Sequence, residues 1–567
     1  MMQIKNTNTS KLWLFTILSV ALLFALSYGF NFGVSNHNTY LLHALKLYKP
    51  GILASDWLAS ETTSYHPIFT KLSYYLLVFD SSGWIFGWAC VIFITLIAIT
   101  FWLLITTLVK NKIESFAVFL FLIGINLITR TFSVTHSYLV ANIFQPSLVA
   151  GLGFLLACWL FVRGQFIWSG IFLGLFMIFH ANYLILSFPV FGLAHLFLGK
   201  KQLISRCFKQ FIPVSLGTIT ILPLLLDTLK DPLSAEGKQI FQWIVAPIHY
   251  VPLRFIEQFI PFLGWQLLAI AFGWRWFMSS EITRRFSFLL LSIVILLWAS
   301  TILTTVVFIP TISQLYFWRL APFSDMFCQI IIGVCLFHYL AINTASQNSP
   351  LFVNKISQVF AAIGLVLLLG YFWFLTKLTM IIALIIIITV IAKRRFNILV
   401  VSNKFFIFGI ASLIFASALL LQIRDGRYGN SSLLVGFPID EQELYQWVRD
   451  NSDINSIFLV SPKLINFRFN AQRAIIVDEK STPILGSDLV EWYQRMEVVS
   501  GIKDFSHIDQ AAEGYKKLDL QYAASIAEQY PFDYFVVETD HQAIIPTGPV
   551  YANKRYQVYA WKNNNKF

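Results

Sequence analysis

Asp56 is the first acidic residue of the chain, and it stands among apolar neighbours: Leu53, Ala54, Trp57 and Leu58. Burial among apolar groups disfavours the charged form of a carboxyl group, and a nearby cation or metal ion opposes that effect. We therefore interpret Asp56 as the best candidate for a general acid or base, or for a ligand of a divalent cation such as Mg or Mn. The sequence assigns no other cofactor.

Histidines accumulate on one side of the apolar segments described below. His37, His43, His66, His136, His180 and His249 fall on that side, whereas His195 and His338 do not. A single histidine of this kind is usually an interfacial residue with satisfied hydrogen bonds, but ionisable groups gathered at one membrane face favour a polar cavity. We take His37 as a catalytic candidate beside Asp56, and His180 and His249 as candidates for binding phosphate or sugar. The histidines lack the close spacing that marks a zinc site.

Two arginines are candidates for phosphate binding, Arg254 and Arg319. A guanidinium group binds phosphate through two parallel hydrogen bonds. Arg319 precedes an apolar segment, and two structural alternatives stay open for it. Its side chain can simply reach the membrane interface, or Asp325 can pair with it, which would make both residues structural.

Long apolar runs must position these residues. A hydrocarbon core about 30 Å thick requires roughly 20 apolar residues per helix, and the chain up to about residue 421 is a succession of such runs. The fold class is therefore a polytopic α-helical membrane protein with about 13 spans. We place the spans at 12–30, 84–109, 114–130, 139–162, 166–180, 182–199, 209–226, 261–278, 286–309, 322–341, 356–375, 378–392 and 404–421.

Basic residues in the short loops give the orientation. The positive-inside rule assigns loops rich in Lys and Arg to the cytoplasm. Every second loop carries such residues: Lys5, Lys11, Lys110, Lys112, Arg163, Lys200, Lys201, Arg206, Lys209, Arg275, Arg284, Arg285, Lys355, Lys393, Arg394, Arg395 and Lys404. The N-terminus is then cytoplasmic, and an odd number of spans places the C-terminal part outside, as in a protein of the bacterial inner membrane.

The chain divides into a transmembrane domain, 1–423, and a soluble extracytoplasmic α/β domain, 424–567. The first has two large outer loops, 31–83 and 227–260, which are either functional or amphipathic covers at the interface. In the second, the hydrophobic patterns predict helices at 441–450, 488–496 and 518–529 and strands at 456–460, 474–477, 532–537 and 556–561.

The composition argues against other classes of protein. The chain is 57% hydrophobic and 12% charged, with a mean hydropathy of +0.68, outside the range of soluble globular proteins. Most of its net charge of +12 lies in the short loops, and the C-terminal part lacks a basic stripe, so we expect no nucleic-acid partner. All five cysteines precede residue 424, which excludes a disulfide framework in the C-terminal part.

The layout resembles the GT-C superfamily of membrane glycosyltransferases, which includes oligosaccharyltransferases and mannosyltransferases that use polyprenyl-phosphate sugars. The segments that carry the resemblance are Asn36-His37-Asn38-Thr39-Tyr40 with Ser55-Asp56-Trp57, Phe179-His180-Ala181-Asn182-Tyr183, His249-Tyr250-Val251-Pro252, Phe467-Arg468 to Arg473, and Glu491-Trp492-Tyr493-Gln494-Arg495. The resemblance implies an enzyme of the cell envelope whose partners are a polyprenyl-phosphate-linked sugar and the membrane lipid.

The sequence also departs from that superfamily. An acid close after the first span is usual there, whereas Asp56 comes later, and the outer loop at Thr131–Tyr138 has no acid. The tryptophan-rich acceptor motif of oligosaccharyltransferases is absent too. A monosaccharide transferase with an extracytoplasmic acceptor therefore fits better than oligosaccharyl transfer to asparagine.

Two alternatives belong to other functional classes. A transporter or lipid flippase is disfavoured because the sequence has no internal repeat and no paired Gly/Pro-broken helices. A non-catalytic membrane scaffold would present the C-terminal domain to protein partners, which the sequence does not identify.

The orientation predicts which reporter protein is active at the C-terminus. Alkaline phosphatase needs an oxidising compartment for its disulfides, so a fusion after Phe567 should be active, and a cytoplasm-only fluorescent fusion there should stay dark. Fusions after Lys112, in a basic loop, should give the reverse pattern. A fluorescent fusion that is bright at the C-terminus would place the C-terminal part in the cytoplasm and contradict the predicted orientation.

Overall fold

The computed structural model describes most of the chain. The described residues are 7–64, 66–129, 133–245, 247, 256–307, 309–341, 359–368, the single positions 409, 412, 415, 416, 418 and 419, and 438–483, 485–541 and 548–561. The predicted span at 378–392 lies outside these residues, and those at 356–375 and 404–421 lie within them only in part.

The described residues up to 368 are mostly helical. Their helices are α1 (Thr7–Tyr28), α2 (His37–Tyr40), α3 (Leu42–Tyr48), α4 (Trp57–Glu61), α5 (Pro67–Phe79), α6 (Trp84–Leu108), α7 (Lys112–Thr129), α8 (Pro146–Val162), α9 (Phe166–Phe176), α10 (Ala181–Phe197), α11 (Leu203–Lys230), α12 (Ala235–Ile240), α13 (Ile256–Gly273), α14 (Glu281–Thr301), α15 (Pro310–Ser313), α16 (Ala321–Ala341) and α17 (Val359–Leu368). Short 3₁₀ or π turns lie at Val134–His136, Met177–Phe179, Phe241–Val245, Ile302–Val306 and Phe317–Leu320.

Among the residues that the structure describes, five helical segments are long and apolar enough to cross a membrane: Lys11–Tyr28, Trp84–Leu108, Leu203–Lys230, Glu281–Val306 and Phe317–His338. Further apolar helices, such as α5, α8, α9 and α10, are shorter than these five. The chain is thus an integral membrane protein by the length and composition of its helices. The count of about 13 spans stays a prediction.

The region 31–83, a predicted loop, contains four short helices among its described residues. These are α2, α3, α4 and α5, whose apolar residues Leu42, Leu45, Phe69 and Leu77 are buried in the main core of the membrane part. Gly51 has a left-handed backbone conformation in the turn between α3 and α4, and Pro67 is the first residue of α5.

Glycines allow α9 and α11 to pack in direct backbone contact. A Cβ atom at Gly170 would lie 2.1 Å from the carbonyl oxygen of Gln210, and one at Gly217 would lie 2.6 Å from that of Gly174. Small residues are the usual means by which helices approach closely in a membrane, where lipid is as apolar as a side chain. The opposite face of α11 exposes a stripe of large apolar side chains suited to lipid: Ile204, Phe208, Ile212, Leu216, Ile219 and Leu226.

The described C-terminal residues form helices around a small sheet. The elements are α18 (Ile439–Asn451), β1 (Ile457–Leu459), α19 (Phe467–Ala471), β2 (Ala474–Ile475), α20 (Gly486–Ser500), α21 (Ile508–Tyr515), α22 (Leu520–Gln529), β3 (Tyr534–Glu538), β4 (Tyr551–Ala552) and β5 (Tyr556–Ala560). The strand order is β2-β1-β3-β5-β4. β1 pairs in parallel with β2 and β3, whereas β5 pairs antiparallel with β3 and β4.

The second outer loop shares a hydrophobic core with the C-terminal part. Leu233, Ile240 and Ile244 are buried in one cluster with Trp492 and Met496 of α20. Because this cluster joins loop and sheet domain, the loop and the C-terminal part lie on the same side of the helices. The N-terminus of α20 adds polar contacts, since Asp231 accepts hydrogen bonds from the backbone amide and hydroxyl of Ser487.

The close contact of α9 and α11 predicts the effect of a single added methyl group. Gly170→Ala should lower the melting temperature of the purified protein in detergent, because overpacking against backbone costs typically about 1–3 kcal/mol. Gly192→Ala in α10 is the matched control: nothing lies within 4 Å of its added Cβ, and alanine favours a helix. Equal melting temperatures for the two variants would contradict the packing.

Candidate functional site

Arg319 is a largely buried cation without an anionic partner among the described residues. It lies in the 3₁₀ turn Phe317–Leu320 that leads into α16, and its guanidinium carbon is 5.4 Å from the ring centre of Tyr316. Its Nε atom is buried and has no hydrogen-bond partner. Asp325 does not pair with it: a carboxylate oxygen of Asp325 accepts a hydrogen bond from Ser133 Oγ at 2.6 Å. The alternative in which these two residues neutralise each other is therefore not observed.

A row of aromatic rings from three segments surrounds this cation. The ring centres of Tyr40 and His66 are 5.1 Å apart, those of His66 and His180 are 4.7 Å apart, and those of His180 and Tyr183 are 5.4 Å apart. Arg319 interacts electrostatically with Tyr40 and Tyr183, and its charge also acts on both histidines. We call Tyr40, His66, His180, Tyr183, Tyr316 and Arg319 the arginine cluster.

The rings of the arginine cluster do not offset the positive charge. Burial lowers the pKa of His66 to about 3, and the charge of Arg319 contributes to the decrease. Burial raises the pKa of Tyr40 to about 12. At neutral pH both side chains are therefore uncharged. A guanidinium that lacks both a carboxylate and full solvation is costly to bury, so this arrangement favours binding of an anion.

Amide groups hold one further tyrosine beside the cluster. Asn36 Nδ2 donates to Gln145 Oε1 at 2.8 Å and to Tyr138 Oη at 3.3 Å, and Gln145 Nε2 donates to the same Oη at 3.0 Å. Tyr138 interacts electrostatically with Arg319. This network joins the residues that precede α2 and α8. It places polar side chains near the guanidinium of Arg319.

His37 does not belong to the arginine cluster. Its Nδ1 accepts a hydrogen bond from the backbone amide of Gly33 at 3.1 Å, and its Nε2 lies 2.9 Å from the carbonyl oxygen of Phe144, which can only accept. Burial lowers the pKa of His37 to about 4. Both ring nitrogens of the neutral imidazole are thus engaged by backbone, which fits a role in folding this loop better than catalysis.

Asp56 lies in a buried ion-pair network that joins the first outer loop to the C-terminal part. Arg468 Nε donates to Asp56 Oδ2 at 2.7 Å, and Arg468 Nη1 donates to Asp478 Oδ2. Asp56 also accepts hydrogen bonds from the amides of Ala59 at 2.9 Å and Ile475 at 3.1 Å. Both carboxylates are fully buried. This geometry occupies the oxygens that a general base would need.

The structure brings together only part of the predicted site. His180 and Arg319 meet in the arginine cluster, whereas His37 and Asp56 lie in backbone and ion-pair contacts outside it. The predicted His249 and Arg254 lie outside the described residues. The sequence did not identify Arg468 and Asp478 as partners of Asp56. The feature that could have indicated the pairing is that all three are charged residues among apolar neighbours.

The residues do not fit a divalent cation in the described part of the chain. No group of three or more His, Cys, Asp or Glu side chains suited to a metal ion occurs among the residues that the structure describes. Asp56, the candidate ligand, is engaged by Arg468 and two amides. The guanidinium of Arg319 would also repel a cation at the cluster.

Comparison with known proteins gives a family match over a short part of the chain and a similarity to solved structures over most of it. Residues 439–499 match a family described as a domain of unknown function, DUF6798. A comparison with curated proteins finds no match. The family match covers a small part of the chain, although it includes Arg468 and Asp478 of the ion-pair network.

The chain has a general likeness to solved structures of an oligosaccharyltransferase and of ArnT. Archaeal oligosaccharyltransferase AglB from Archaeoglobus fulgidus, in complex with an inhibitory peptide and a dolichol-phosphate, is 12% identical, with 93% of this chain and 70% of that chain covered and a TM-score of 0.45. ArnT from Cupriavidus metallidurans, bound to undecaprenyl phosphate, is 12% identical, with 98% of both chains covered and a TM-score of 0.47. At these values, the activity of this chain has to be argued from its own residues.

The ion-pair network predicts that Asp56 acts chiefly on stability. Asp56→Asn leaves the buried Arg468 with one carboxylate instead of two, and breaking a buried pair costs about 3–5 kcal/mol. We expect a clear fall in the melting temperature of the purified protein. Glu61→Gln changes an exposed carboxylate at the end of α4, the helix that Asp56 precedes; it is the matched control and should melt like wild type. A stable Asp56→Asn protein with lost turnover would instead restore Asp56 as a catalytic residue.

Proposed function

We propose that the protein is a membrane glycosyltransferase that moves a sugar from a polyprenyl-phosphate-linked donor to an acceptor outside the cytoplasm. The observation that carries the proposal is Arg319, a partly buried cation whose Nε atom is buried without a hydrogen-bond partner and which has no carboxylate beside it among the described residues. Such a group binds phosphate by charge-assisted hydrogen bonds. The resemblance of the sequence to GT-C glycosyltransferases supports a phosphate that is attached to a lipid-linked sugar.

The position of Arg319 suits a donor that stays in the bilayer. Arg319 stands near the beginning of the apolar segment Phe317–His338, which can cross a membrane. A phosphate at this depth reaches the cation while its polyprenyl chain remains among lipid. We place the cluster at the extracytoplasmic face of a bacterial inner membrane, with the N-terminus in the cytoplasm and the C-terminal α/β domain outside, because the basic loops lie on the opposite side.

We propose His180 as the proton acceptor. Its side chain is 2% exposed, and its Nδ1 atom is buried without a hydrogen-bond partner. A neutral imidazole nitrogen with a free lone pair can take the proton of an acceptor hydroxyl group. The acceptor oxygen then forms a bond to the anomeric carbon, and the bond from that carbon to the phosphate oxygen breaks. The polyprenyl phosphate leaves with its negative charge against Arg319.

Donor binding would also alter the histidines of the cluster. The positive charge of Arg319 is one of the two causes that lower the pKa of His66, the other being burial. A bound phosphate compensates this charge, so the pKa of His66 should rise in the complex. Because the rings of Tyr40, His66 and His180 follow one another at 5.1 and 4.7 Å, we propose that His66 and Tyr40 contact the phosphate or sugar of the donor.

The proposal predicts different defects for Arg319 and His180. Arg319→Lys and Arg319→Gln should weaken binding of undecaprenyl phosphate roughly tenfold or more, since hydrogen bonds to a charged group contribute about 1.5–3 kcal/mol. His180→Gln should bind the lipid normally but lower turnover roughly 10²–10⁴-fold, as expected for a positioned acid–base group. Binding is measured by titration of the purified protein, and turnover by thin-layer analysis of labelled polyprenyl-phosphate sugars.

Arg163 provides the matched control for Arg319. Its guanidinium lies 5.0 Å from the ring centre of Trp159, much as Arg319 lies over Tyr316, but it belongs to a basic loop on the other side. Arg163→Gln should bind lipid phosphate like wild type. Normal binding by Arg319→Gln would remove Arg319 from the donor site. Translocation of the lipid by wild type in vesicles, without transfer of sugar, would identify a flippase instead.

A further inference from the structure

One segment of the C-terminal part forms hydrogen bonds with the loop that carries Tyr40. We call residues 466–481 the docking segment. Asn470 Nδ2 donates to the carbonyl oxygen of Gly33 at 2.7 Å. Asn466 Oδ1 accepts hydrogen bonds from the amide of Ser35 at 3.1 Å and from Asn38 Nδ2 at 2.8 Å. These hydrogen bonds hold the turn before α2 through the backbone of Gly33 and Ser35, and they hold α2 itself through the Asn38 side chain.

The contact extends to the residue before Tyr40. Thr39 Oγ1 lies 3.2 Å from Ser481 Oγ, to which it donates a hydrogen bond. Gly33 has a left-handed backbone conformation, φ +72°, and a Cβ atom there would lie 2.7 Å from Asn470 Oδ1. The docking segment therefore fits against the loop without room for a side chain at Gly33.

Arg468 organises the docking segment. It lies between Asp56 of the outer loop and Asp478 of the segment itself. Asp478 Oδ1 also accepts hydrogen bonds from the backbone amides of Lys480 at 2.8 Å and Ser481 at 2.7 Å. The ion-pair network thus fixes the turn from which the Ser481 hydroxyl contacts Thr39.

Tyr40 connects these contacts to the arginine cluster. It is the last residue of α2, directly after Thr39, and its ring lies 5.1 Å from that of His66. It also interacts electrostatically with Arg319. α2 is only four residues long, so its own hydrogen bonds cannot hold it in place. Its position is set by the surfaces on either side, and the docking segment is one of them.

We propose that the docking segment, which the Arg468 ion pairs hold in shape, completes the site by positioning Tyr40 in the arginine cluster. The C-terminal part is then needed for the shape of the site and not only for contact with an acceptor. The inference rests on the proposed function only for the identity of the bound anion, because the placement of Tyr40 is a property of the protein alone.

Asn466 offers a test that leaves the buried ion pairs intact. Asn466→Ala removes the acceptor for two hydrogen bonds to the loop, and undecaprenyl phosphate should bind roughly threefold to thirtyfold more weakly. Asn553→Ala is the matched control, since Asn553 Nδ2 donates to the Asp440 carbonyl at 2.7 Å within the C-terminal part. It should bind the lipid as wild type does.

A disulfide distinguishes lost docking from general damage. Thr39→Cys with Ser481→Cys places two thiols where the hydroxyl oxygens are 3.2 Å apart, a separation that a disulfide can span. Added to Asn466→Ala, the oxidised pair should restore lipid binding to within about twofold of wild type, and reduction should abolish the rescue. Equal affinity for the oxidised and reduced forms, or wild-type affinity for Asn466→Ala, would overturn the proposal.

A second readout does not depend on any ligand. The ¹⁹F resonance of 3-fluorotyrosine at position 40 in the full-length protein reports the surroundings of that ring. Asn466→Ala should shift or broaden it, the oxidised cysteine pair should restore it, and Asn553→Ala should leave it unchanged. If wild type binds no lipid phosphate but the resonance responds in this way, the proposed function fails and the positioning role stands. A resonance unaffected by Asn466→Ala refutes the positioning role.

Discussion

The buried ion pairs of Arg468 are the interaction on which the junction between region 31–83 and the C-terminal part depends. They join Asp56 in the first outer loop to Asp478 in the C-terminal part, at a place where all three side chains are at most 2% exposed. In low dielectric, each charge is tolerable only because the others are present. Loop, docking segment and sheet domain therefore form one folded unit, with the second outer loop completing its core through Leu233 and Ile240.

Arg319, unlike Arg468, has no carboxylate partner among the described residues. Arg468 has two carboxylates, whereas Arg319 is surrounded by neutral rings and keeps a buried Nε without a partner. A satisfied buried cation stabilises a fold, and an unsatisfied one is a place where a ligand can supply the missing charge. The contrast separates Arg468, a structural centre, from Arg319, the proposed binding site, although Asp56 of the first lies between Tyr40 and His66 of the second along the chain.

Much of the secondary structure follows from local pattern. The apolar run at 84–109 appears as α6, and the amphipathic pattern at 441–450 appears within α18. Region 31–83 lies between two predicted spans and is therefore a predicted loop, yet its Leu42, Leu45 and Phe69 are buried in the main core. Short helices of this kind depend on tertiary packing and not on propensity.

Sequence alone determined that the chain is a membrane protein with a polar C-terminal part, because hydrophobic length and charge are local quantities. It also brought out Arg319 and His180, whose polar side chains are unusual in apolar surroundings. Only the tertiary structure decided which polar residues are already satisfied. Asp56 and His37 have the composition of a catalytic pair, but their partners, Arg468 and Phe144, are distant along the chain, and a hydrogen bond between distant segments leaves no trace in local sequence.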